Sequence, residues 1–267
     1  MDSKKLAKNV RKDVLLMTSR VGAGHIGSIL SIVDIVSVLY AKIMKYDIHN
    51  PMLVNRDRFI LSKGHAGACV YATLAEVGFF DKKELNNYYN PNGTVLSGHV
   101  THKNNLGVEF STGSLGHGVS VAVGMALAGK MNKNNHKVYA LAGNGECNEG
   151  AIWEAMMFAA HNKLDNFVLI VDNNKMQAMG DSKNILDMGS LTEKFAAFGA
   201  YAIEVDGHNH DELEKVFKTK HNNKPLVVIA NTIKGKGVSF MENNIKYHYN
   251  CVKDDLLEKA LEEVEGK

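Results

Sequence analysis

Two short polar segments each follow an apolar run in the second half of the chain: Gly143-Asn-Gly-Glu146 and Asp172-Asn-Asn174. The 27 residues between Gly145 and Asn173 are enough for about one helix and one strand. Two adjacent parallel strands would therefore carry both segments at one edge of a sheet. Glycines let a backbone approach a phosphate closely, and a helix beginning near Glu149 would direct its N-terminus at that anion.

The same two segments offer ligands for a metal ion. Side-chain oxygens of Asn144 and Asn174 could hold a Mg²⁺ ion whose coordination a diphosphate completes. The alternative is that Gly-Asn-Gly is only a turn, which is the better interpretation of that segment alone. The second segment at a suitable distance favours the binding site.

Histidine is frequent in this chain, with twelve residues. His25, His65 and His99 each follow a glycine, which favours site residues over structural ones. Imidazole suits proton transfer and hydrogen bonding because its unperturbed pKa is about 6.5. Other histidines lack this context and are predicted to lie at the surface: His102, His136 and His221.

Apolar runs and helical periodicity alternate along the chain and predict the elements that position these residues. Strands are predicted at 59–62, 138–141, 167–171, 201–205 and 226–230, all apolar on both faces as in buried parallel sheets. Helices are predicted at 4–20, 66–77, 149–162 and 253–265. Another is expected to begin at Ser31-Ile-Val-Asp34, which resembles a capping box, and to continue through Met44. The fold class is α/β, a doubly wound and mostly parallel sheet with helices on both faces.

Composition restricts the class of protein. Apolar residues make up 45% of 267 residues, and the three prolines lie in no linker-like stretch, so one domain over 1–267 is predicted. A net charge of +2 with scattered lysines argues against nucleic-acid binding. Three cysteines without metal-type spacing favour a reducing compartment, and no apolar run of about 20 residues predicts a membrane span. A soluble, cytoplasmic protein is expected.

The paired segments resemble the thiamine diphosphate fingerprint, Gly-Asp-Gly followed about thirty residues later by Asn. Further motifs narrow the resemblance to the transketolase family, and it extends from near Val14 to His248. These motifs occur in family order: Gly24-His25-Ile-Gly27, Ser62-Lys-Gly-His65, Ser97-Gly-His99, Ser111-Thr-Gly-Ser-Leu-Gly116 and Thr232-Ile-Lys-Gly-Lys-Gly237. Each is weak alone, but five in order with the fingerprint are highly specific.

The resemblance implies the cofactors thiamine diphosphate and Mg²⁺ and assigns roles by position. His65 and the backbone N–H of Gly145 would contact the diphosphate, whereas His25, His99 and His248 would line the funnel for the sugar and act on its hydroxyls or protons. The aminopyrimidine would be held by Gly113, Ser114 and Leu115. The metal would be completed by Asn144, Asn174 and the carbonyl of Met176.

A glycine-rich stretch and the carboxylate of Glu149 could each contribute to a subunit interface. The glycines between Gly113 and Gly129 permit close packing, either inside the domain or across a subunit interface, and both remain open. Glu149 matches a family carboxylate near the cofactor and the subunit interface; its alternative is a first-turn glutamate favoured by the helix dipole.

Two positions depart from the family pattern. Asn144 replaces the metal-binding aspartate, which removes a negative charge worth at most about 4 kcal/mol at about 4 Å and a dielectric near 20. We therefore expect weaker Mg²⁺ binding. His117 stands where the family commonly has glutamine, which weakens any assignment of substrate.

The sequence matches only the first of three transketolase domains. The resemblance therefore implies a separate C-terminal transketolase subunit carrying the pyrimidine-binding domain, with active sites formed between the chains, as a heterotetramer. The implied reaction transfers a two-carbon ketol unit between sugars or sugar phosphates. Alternatives are an enzyme of the deoxyxylulose-phosphate synthase type and a catalytically weakened cofactor-binding or regulatory subunit.

Overall fold

Five parallel strands form one sheet in the computed structural model, which describes residues 1–93, 96–103 and 106–266. The strands are β1 (Arg58–Leu61), β2 (Val138–Gly143), β3 (Phe167–Asn173), β4 (Tyr201–Asp206) and β5 (Leu226–Asn231). Their order across the sheet is β1-β2-β3-β5-β4, and every pair is parallel. All five predicted strands are therefore confirmed, with ends shifted by at most two residues.

Helices cover both faces of this sheet. They are α1 (Ser3–Val21), α2 (Ile26–Leu30), α3 (Val33–Val38), α4 (Gly67–Val77), α5 (His117–Met131), α6 (Gly150–His161), α7 (Ser182–Leu186), α8 (Leu191–Ala197), α9 (His210–Phe217), α10 (Lys246–Tyr249) and α11 (Asp254–Glu265). Short 3₁₀ turns occupy Gly64–Ala66, Lys82–Asn87 and Gly145–Asn148.

The core is divided by the sheet into two layers because successive strand residues point to opposite faces. Tyr139 and Leu141 of β2 pack with residues of α1, α3 and α4, whereas Val138, Ala140 and Ala142 pack with α5 and α6. This arrangement confirms the predicted doubly wound α/β fold.

Strand β4 departs from the prediction that every strand is buried on both faces. It occupies one end of the strand order, and four of its residues are partly or fully exposed between Tyr201 and Glu204. Among the residues that the structure describes, it pairs with β5 alone. The apolar run therefore indicated a strand correctly but not its burial.

The predicted helix from Ser31 to Met44 is wrong in its boundaries and its cap. The segment begins earlier, at α2, is interrupted at residues 31–32, and continues as α3 and a π-helical turn at Leu39–Ile43. Ser31 donates its hydroxyl to Ser28 O and Asp172 instead of capping α3. Asp34 is buried and pairs with Arg11. A buried polar network thus replaces the capping box.

Two further sequence-based expectations are wrong. His136 and His221 are 6% and 8% exposed and belong to the interior, whereas His102 is exposed as predicted. One stretch, Ile26–Ile43, is apolar and long enough to cross a membrane by length and composition, but 83% of it is buried inside the fold, as in the core helices of many proteins.

Candidate functional site

The two polar segments meet at the carboxyl edge of the sheet. Gly143 lies beside Asp172 in the β2–β3 register, and the backbone N–H of Asn144 donates to Asp172 O at 3.0 Å. The segment after β2 forms the 3₁₀ turn Gly145–Asn148 before α6 begins at Gly150. The predicted side-by-side placement is therefore confirmed.

A cavity of about 310 Å³ opens at this edge. Ten of the residues proposed from sequence line it: His25, His65, His99, Gly113, Leu115, Asn144, Gly145, Asn174, Met176 and His248. They come from distant parts of the chain, so the fold brings the separate motifs into one concave site. Concave sites beyond the carboxyl ends of parallel strands are where α/β proteins bind ligands.

Four histidine rings form one cluster in this cavity. The centroid of the His25 ring lies 5.1 Å from those of His65 and His248 and 6.0 Å from that of His99. The backbone N–H of His25 donates to His248 O at 2.8 Å, which joins two motifs that lie far apart in the sequence. His25 takes the left-handed conformation (φ 68°), which is uncommon for a residue with a side chain.

Close backbone packing explains the glycine before His65. A Cβ added at Gly64 would lie 2.3 Å from Thr112 O, and Gly64 O accepts from Val100 N at 3.0 Å. Only glycine fits against Thr112, and the Gly64 carbonyl holds the segment that carries His99. The Gly-His pattern is therefore a packing requirement that places both rings in the cavity.

The amide side chains of Asn144 and Asn174 are oriented by hydrogen bonds. Asn144 Nδ2 donates to Ser182 Oγ at 2.6 Å, and Asn174 Nδ2 donates to Asp172 Oδ2 at 2.8 Å. Asn174 Oδ1 accepts from Met176 N at 3.0 Å. Because both amide nitrogens already act as donors, the amide oxygens are the atoms available as ligands. Such oxygens fit the preference of Mg²⁺.

A buried ion pair lies directly beneath these amides. Lys63 Nζ lies 2.6 Å from Asp172 Oδ2, and the two side chains are 2% and 0% exposed. Asp172 also accepts from Ser31, Asn174 and Thr232. Burial alone would raise the pKa of Asp172, but Lys63 and the hydroxyl donors outweigh it and lower that pKa.

A second buried carboxylate, Glu146, organises the turn after β2. It accepts from Ser62 Oγ and from the backbone N–H groups of Gly116 and Gly143. Its pKa is raised because burial outweighs these hydrogen bonds. Glu146 therefore ties together three of the motifs, after β1, before α5 and after β2.

The cavity combines ammonium groups with neutral imidazoles. Burial, and then Lys63, lower the pKa of Lys234 to about 8, and burial followed by Lys234 lowers the pKa of His248 to about 4. Burial also lowers the pKa of His25 and His65. At neutral pH these three rings are uncharged and lie beside two lysines. The cavity therefore favours an anionic ligand and hydrogen bonding over the binding of a further cation.

The sequence-based reasoning missed four buried charged residues of the site: Lys63, Glu146, Asp172 and Lys234. All four lie inside segments that the motifs already marked, next to a glycine turn or at the end of a buried strand. A charged residue within three positions of the end of an apolar strand was the feature that could have identified them.

Three marked residues lie outside the cavity lining. Ser114 and Glu149 are exposed and do not line it, and neither does His117, the first residue of α5. Glu149 precedes α6 without forming a side-chain cap.

Two glycines of α5, Gly118 and Gly124, lie in different environments. A Cβ at Gly118 would lie 2.7 Å from Ser62, whereas Gly124 is exposed with nothing within 4 Å. Close internal packing therefore explains the first glycine, and α5 keeps an exposed face at the second.

Several known proteins that are similar to this chain are transketolases or transketolase subunits. Residues 2–264 match the family model described as transketolase, thiamine diphosphate binding domain. The 6-deoxy-6-sulfo-D-fructose transketolase subunit of Clostridium sp. (strain MSTE9) is 40% identical over 99% of this chain and 97% of its own length. One of the subunits of the apulose-4-phosphate transketolase of Phocaeicola vulgatus is 39% identical over 95% of this chain and 90% of its own length.

A solved structure agrees with these sequences. The transketolase of Campylobacter jejuni superposes with a TM-score of 0.92 at 32% identity, covering 99% of this chain. This chain spans 43% of that longer protein.

Proposed function

This chain belongs to the transketolase family, as a thiamine diphosphate-binding subunit of transketolase type, and we propose that it forms one half of each active site in a two-chain enzyme. The observation that carries the proposal is the cavity at the carboxyl edge of the sheet, where four histidines, two buried lysines and two oriented asparagines converge. Relatives that match over nearly their whole length are transketolase subunits.

The chain's part in cofactor binding follows from its charged and amide groups. Lys63 and Lys234 supply positive potential for the diphosphate, and Gly145 allows its close approach. We assign Mg²⁺ to the oxygens of Asn144, Asn174 and the Met176 carbonyl. Within the described residues no group of three or more His, Cys, Asp or Glu side chains could hold a metal, so an ion here depends on amides and on the diphosphate.

Thiamine diphosphate, when bound, supplies the nucleophilic carbon and the electron sink for breaking a carbon–carbon bond beside a ketone. The histidines supply the rest of this chain's contribution. His65 contacts the diphosphate, whereas His25, His99 and His248 hold the sugar by hydrogen bonds and move protons at its hydroxyls. Lowered pKa values keep His25 and His248 neutral at pH 7, so in each ring one nitrogen donates and the other accepts a hydrogen bond.

The remaining half of the site is assigned to a separate C-terminal transketolase subunit, in a heterotetramer. The exposed face at Gly124 and three exposed apolar side chains on α5 and α6 support a protein interface there: Met131, Met157 and Phe158. Glu149, next to this face, is assigned to the same interface. Gly113, Ser114 and Leu115 would meet the aminopyrimidine at the junction.

The substrates we propose are ketoses that carry an anionic group. The names of the two relatives specify a sulfonated ketose and a sugar phosphate.

The proposal also includes a cytoplasmic location, which the three unpaired cysteines support, and a single domain over 1–267.

A second candidate is a weakened cofactor-binding subunit without turnover of its own. Asn144 favours it, because the position lacks the carboxylate of the family pattern. The two candidates share cofactor binding and differ in catalysis.

Calorimetric titration of the chain with thiamine diphosphate, with and without Mg²⁺, tests the cofactor assignment. We expect binding that strengthens when Mg²⁺ is present and weakens in Asn174→Ala. The control is Asn162→Ala, at the far end of α6. Binding that is unaffected by both Mg²⁺ and Asn174→Ala would overturn the assignment.

A further inference from the structure

A lysine and a histidine of the cavity make a direct, buried contact. Lys234 Nζ lies 2.9 Å from His248 Nδ1, and the two residues are 1% and 9% exposed. An ammonium group has three donors and no acceptor. His248 Nδ1 must therefore accept, and in the neutral ring the proton resides on Nε2.

Lys234 lies on the loop 232–237, whose backbone is held at several points. Gly235 N donates to Gly27 O at 2.9 Å, beneath the motif that carries His25. Between Thr232 and Lys234, the peptide N–H of Ile233 donates to a side chain, His208 Nε2, at 2.8 Å. The position of Lys234 thus depends on a histidine from the β4–α9 connection.

The protonation pattern of His208 follows from its two partners. A backbone N–H can only donate, so His208 Nε2 carries no proton. The other nitrogen, Nδ1, lies 2.8 Å from Asp34 Oδ2 and donates to it. This ring is therefore a neutral bridge between α3 and the loop, with a fixed orientation.

Asp34 is the carboxylate that accepts the hydrogen bond from His208 Nδ1. It also pairs with Arg11 and with His210 Nε2, and it is 5% exposed. Burial alone would raise the pKa of Asp34, but His208, His210 and Arg11 outweigh it and hold the pKa far below its usual range. The carboxylate stays charged and keeps the His208 ring in place.

We infer that His208 is a positioning residue that holds the Ile233 peptide and thereby places the Lys234 ammonium on His248 Nδ1, which fixes His248 as the Nε2–H tautomer. The consequence for catalysis rests on the proposed function. In the Nε2–H tautomer, His248 presents a hydrogen-bond donor, rather than an acceptor, to the sugar. The opposite tautomer would exchange these roles and lose complementarity to a sugar oxygen that needs a donor.

The first test uses the unmodified full chain, labelled with ¹⁵N. We expect a scalar coupling across the hydrogen bond between Ile233 N and His208 Nε2. We also expect ¹⁵N shifts of His248 that mark Nδ1 as unprotonated and Nε2 as protonated, assigned by their loss in His248→Gln. Absence of the coupling, or the opposite His248 tautomer, would overturn the inference without reference to activity.

A matched pair of variants tests the causal link. In His208→Gln the amide oxygen can replace the Nε2 acceptor, whereas in His208→Asn the shorter amide can replace only the Nδ1 donor. We expect His208→Gln to keep the His248 tautomer and His208→Asn to give a mixture. Lys234→Met, which keeps an apolar chain without the donor, should give the same mixture.

The variants also separate this inference from the proposed function. If His208→Asn and Lys234→Met both retain a pure Nε2–H form of His248, the positioning role is wrong even if the two-chain enzyme is active. If the tautomer shifts as expected but no ketol transfer is found with the partner, the positioning stands and the proposed function fails.

Discussion

Lys63 Nζ and Asp172 Oδ2 lie 2.6 Å apart, in a pair almost completely removed from solvent at the carboxyl edge of the sheet. Lys63 follows β1 and Asp172 belongs to β3, while β2 lies between these strands. The pair therefore joins the two sides of the cavity beneath the residues assigned to the metal. Removing one partner leaves the other charge buried without compensation.

The first prediction concerns this pair. Lys63→Met and Asp172→Asn should each lower the free energy of unfolding by about 3–5 kcal/mol, because a buried charge loses its partner. The double variant should lose much less than the sum of the two. Urea denaturation of the four proteins measures this coupling, and strictly additive losses would show that the two side chains do not stabilise each other.

The second prediction concerns the histidine cluster. His65→Ala should weaken cofactor binding, whereas His25→Ala and His248→Ala should mainly slow turnover or raise the sugar KM. Loss of a hydrogen bond to the charged diphosphate suggests about 1.5–3 kcal/mol for His65→Ala, and loss of a neutral hydrogen bond to a sugar hydroxyl suggests about 0.5–1.5 kcal/mol for the other two. His102→Ala, at the surface, is the matched control. Calorimetry and steady-state kinetics that leave all three site variants equal to this control would refute the assignment.

The third prediction concerns Asn144. Asn144→Asp should strengthen Mg²⁺-dependent cofactor binding, by at most about 4 kcal/mol, because it adds a charge beside the metal. The fold should be preserved, since Ser182 Oγ can donate to a carboxylate as readily as it accepts from the amide. Ser182→Ala tests the contribution of this hydrogen bond alone. Equal cofactor affinities of the unmodified chain and Asn144→Asp, measured by calorimetry with Mg²⁺, would show that the charge is unimportant.

The fourth prediction concerns the pH dependence of stability. The folded chain lowers the pKa of His248 from 6.5 to about 4, mainly by burial and then by Lys234. As the pH falls from 6.5 to 4, the unfolded chain takes up this proton and the folded chain does not, so stability is full above pH 6.5 and decreases below it. The decrease is at most about 3–4 kcal/mol for this residue.

His248→Gln provides the measurement for that pH dependence. The variant should show a smaller decrease in unfolding free energy between pH 6.5 and 4 than the unmodified chain. Some decrease should remain, because the pKa values of His25 and His65 are lowered in the same direction. Identical pH profiles of the two proteins would contradict the lowered pKa of His248.

The sequence predicted the fold well where one physical pattern dominates. Five apolar runs became five parallel strands, four of them because burial in a covered sheet satisfies their apolar side chains, whereas β4 lies at one end of the sheet and stays partly exposed. It could not predict that β5 lies between β3 and β4, since strand order depends on long-range pairing. The break at residues 31–32 was also missed, because Ser31 and Asp34 bond to distant partners that local cap patterns do not reveal.

The site was predicted in its outline but not in its charges. Glycine-histidine motifs identified the cluster because their glycines are needed for close backbone packing, as at Gly64. Lys63 and Asp172 were not singled out because sequence patterns place charged residues at the surface unless a partner is known. His136 illustrates the same limit, since only the folded chain shows what buries it.

The most direct test of the central claim is the rate of ketol transfer with thiamine diphosphate, Mg²⁺, an anionic ketose donor and an aldose acceptor. It is measured for this chain by itself, for the C-terminal transketolase chain by itself, and for their mixture. We predict turnover in the mixture only, because each chain holds half of the site. Robust turnover by this chain without its partner, or an assembled mixture that binds the cofactor but transfers no ketol unit, would contradict the account.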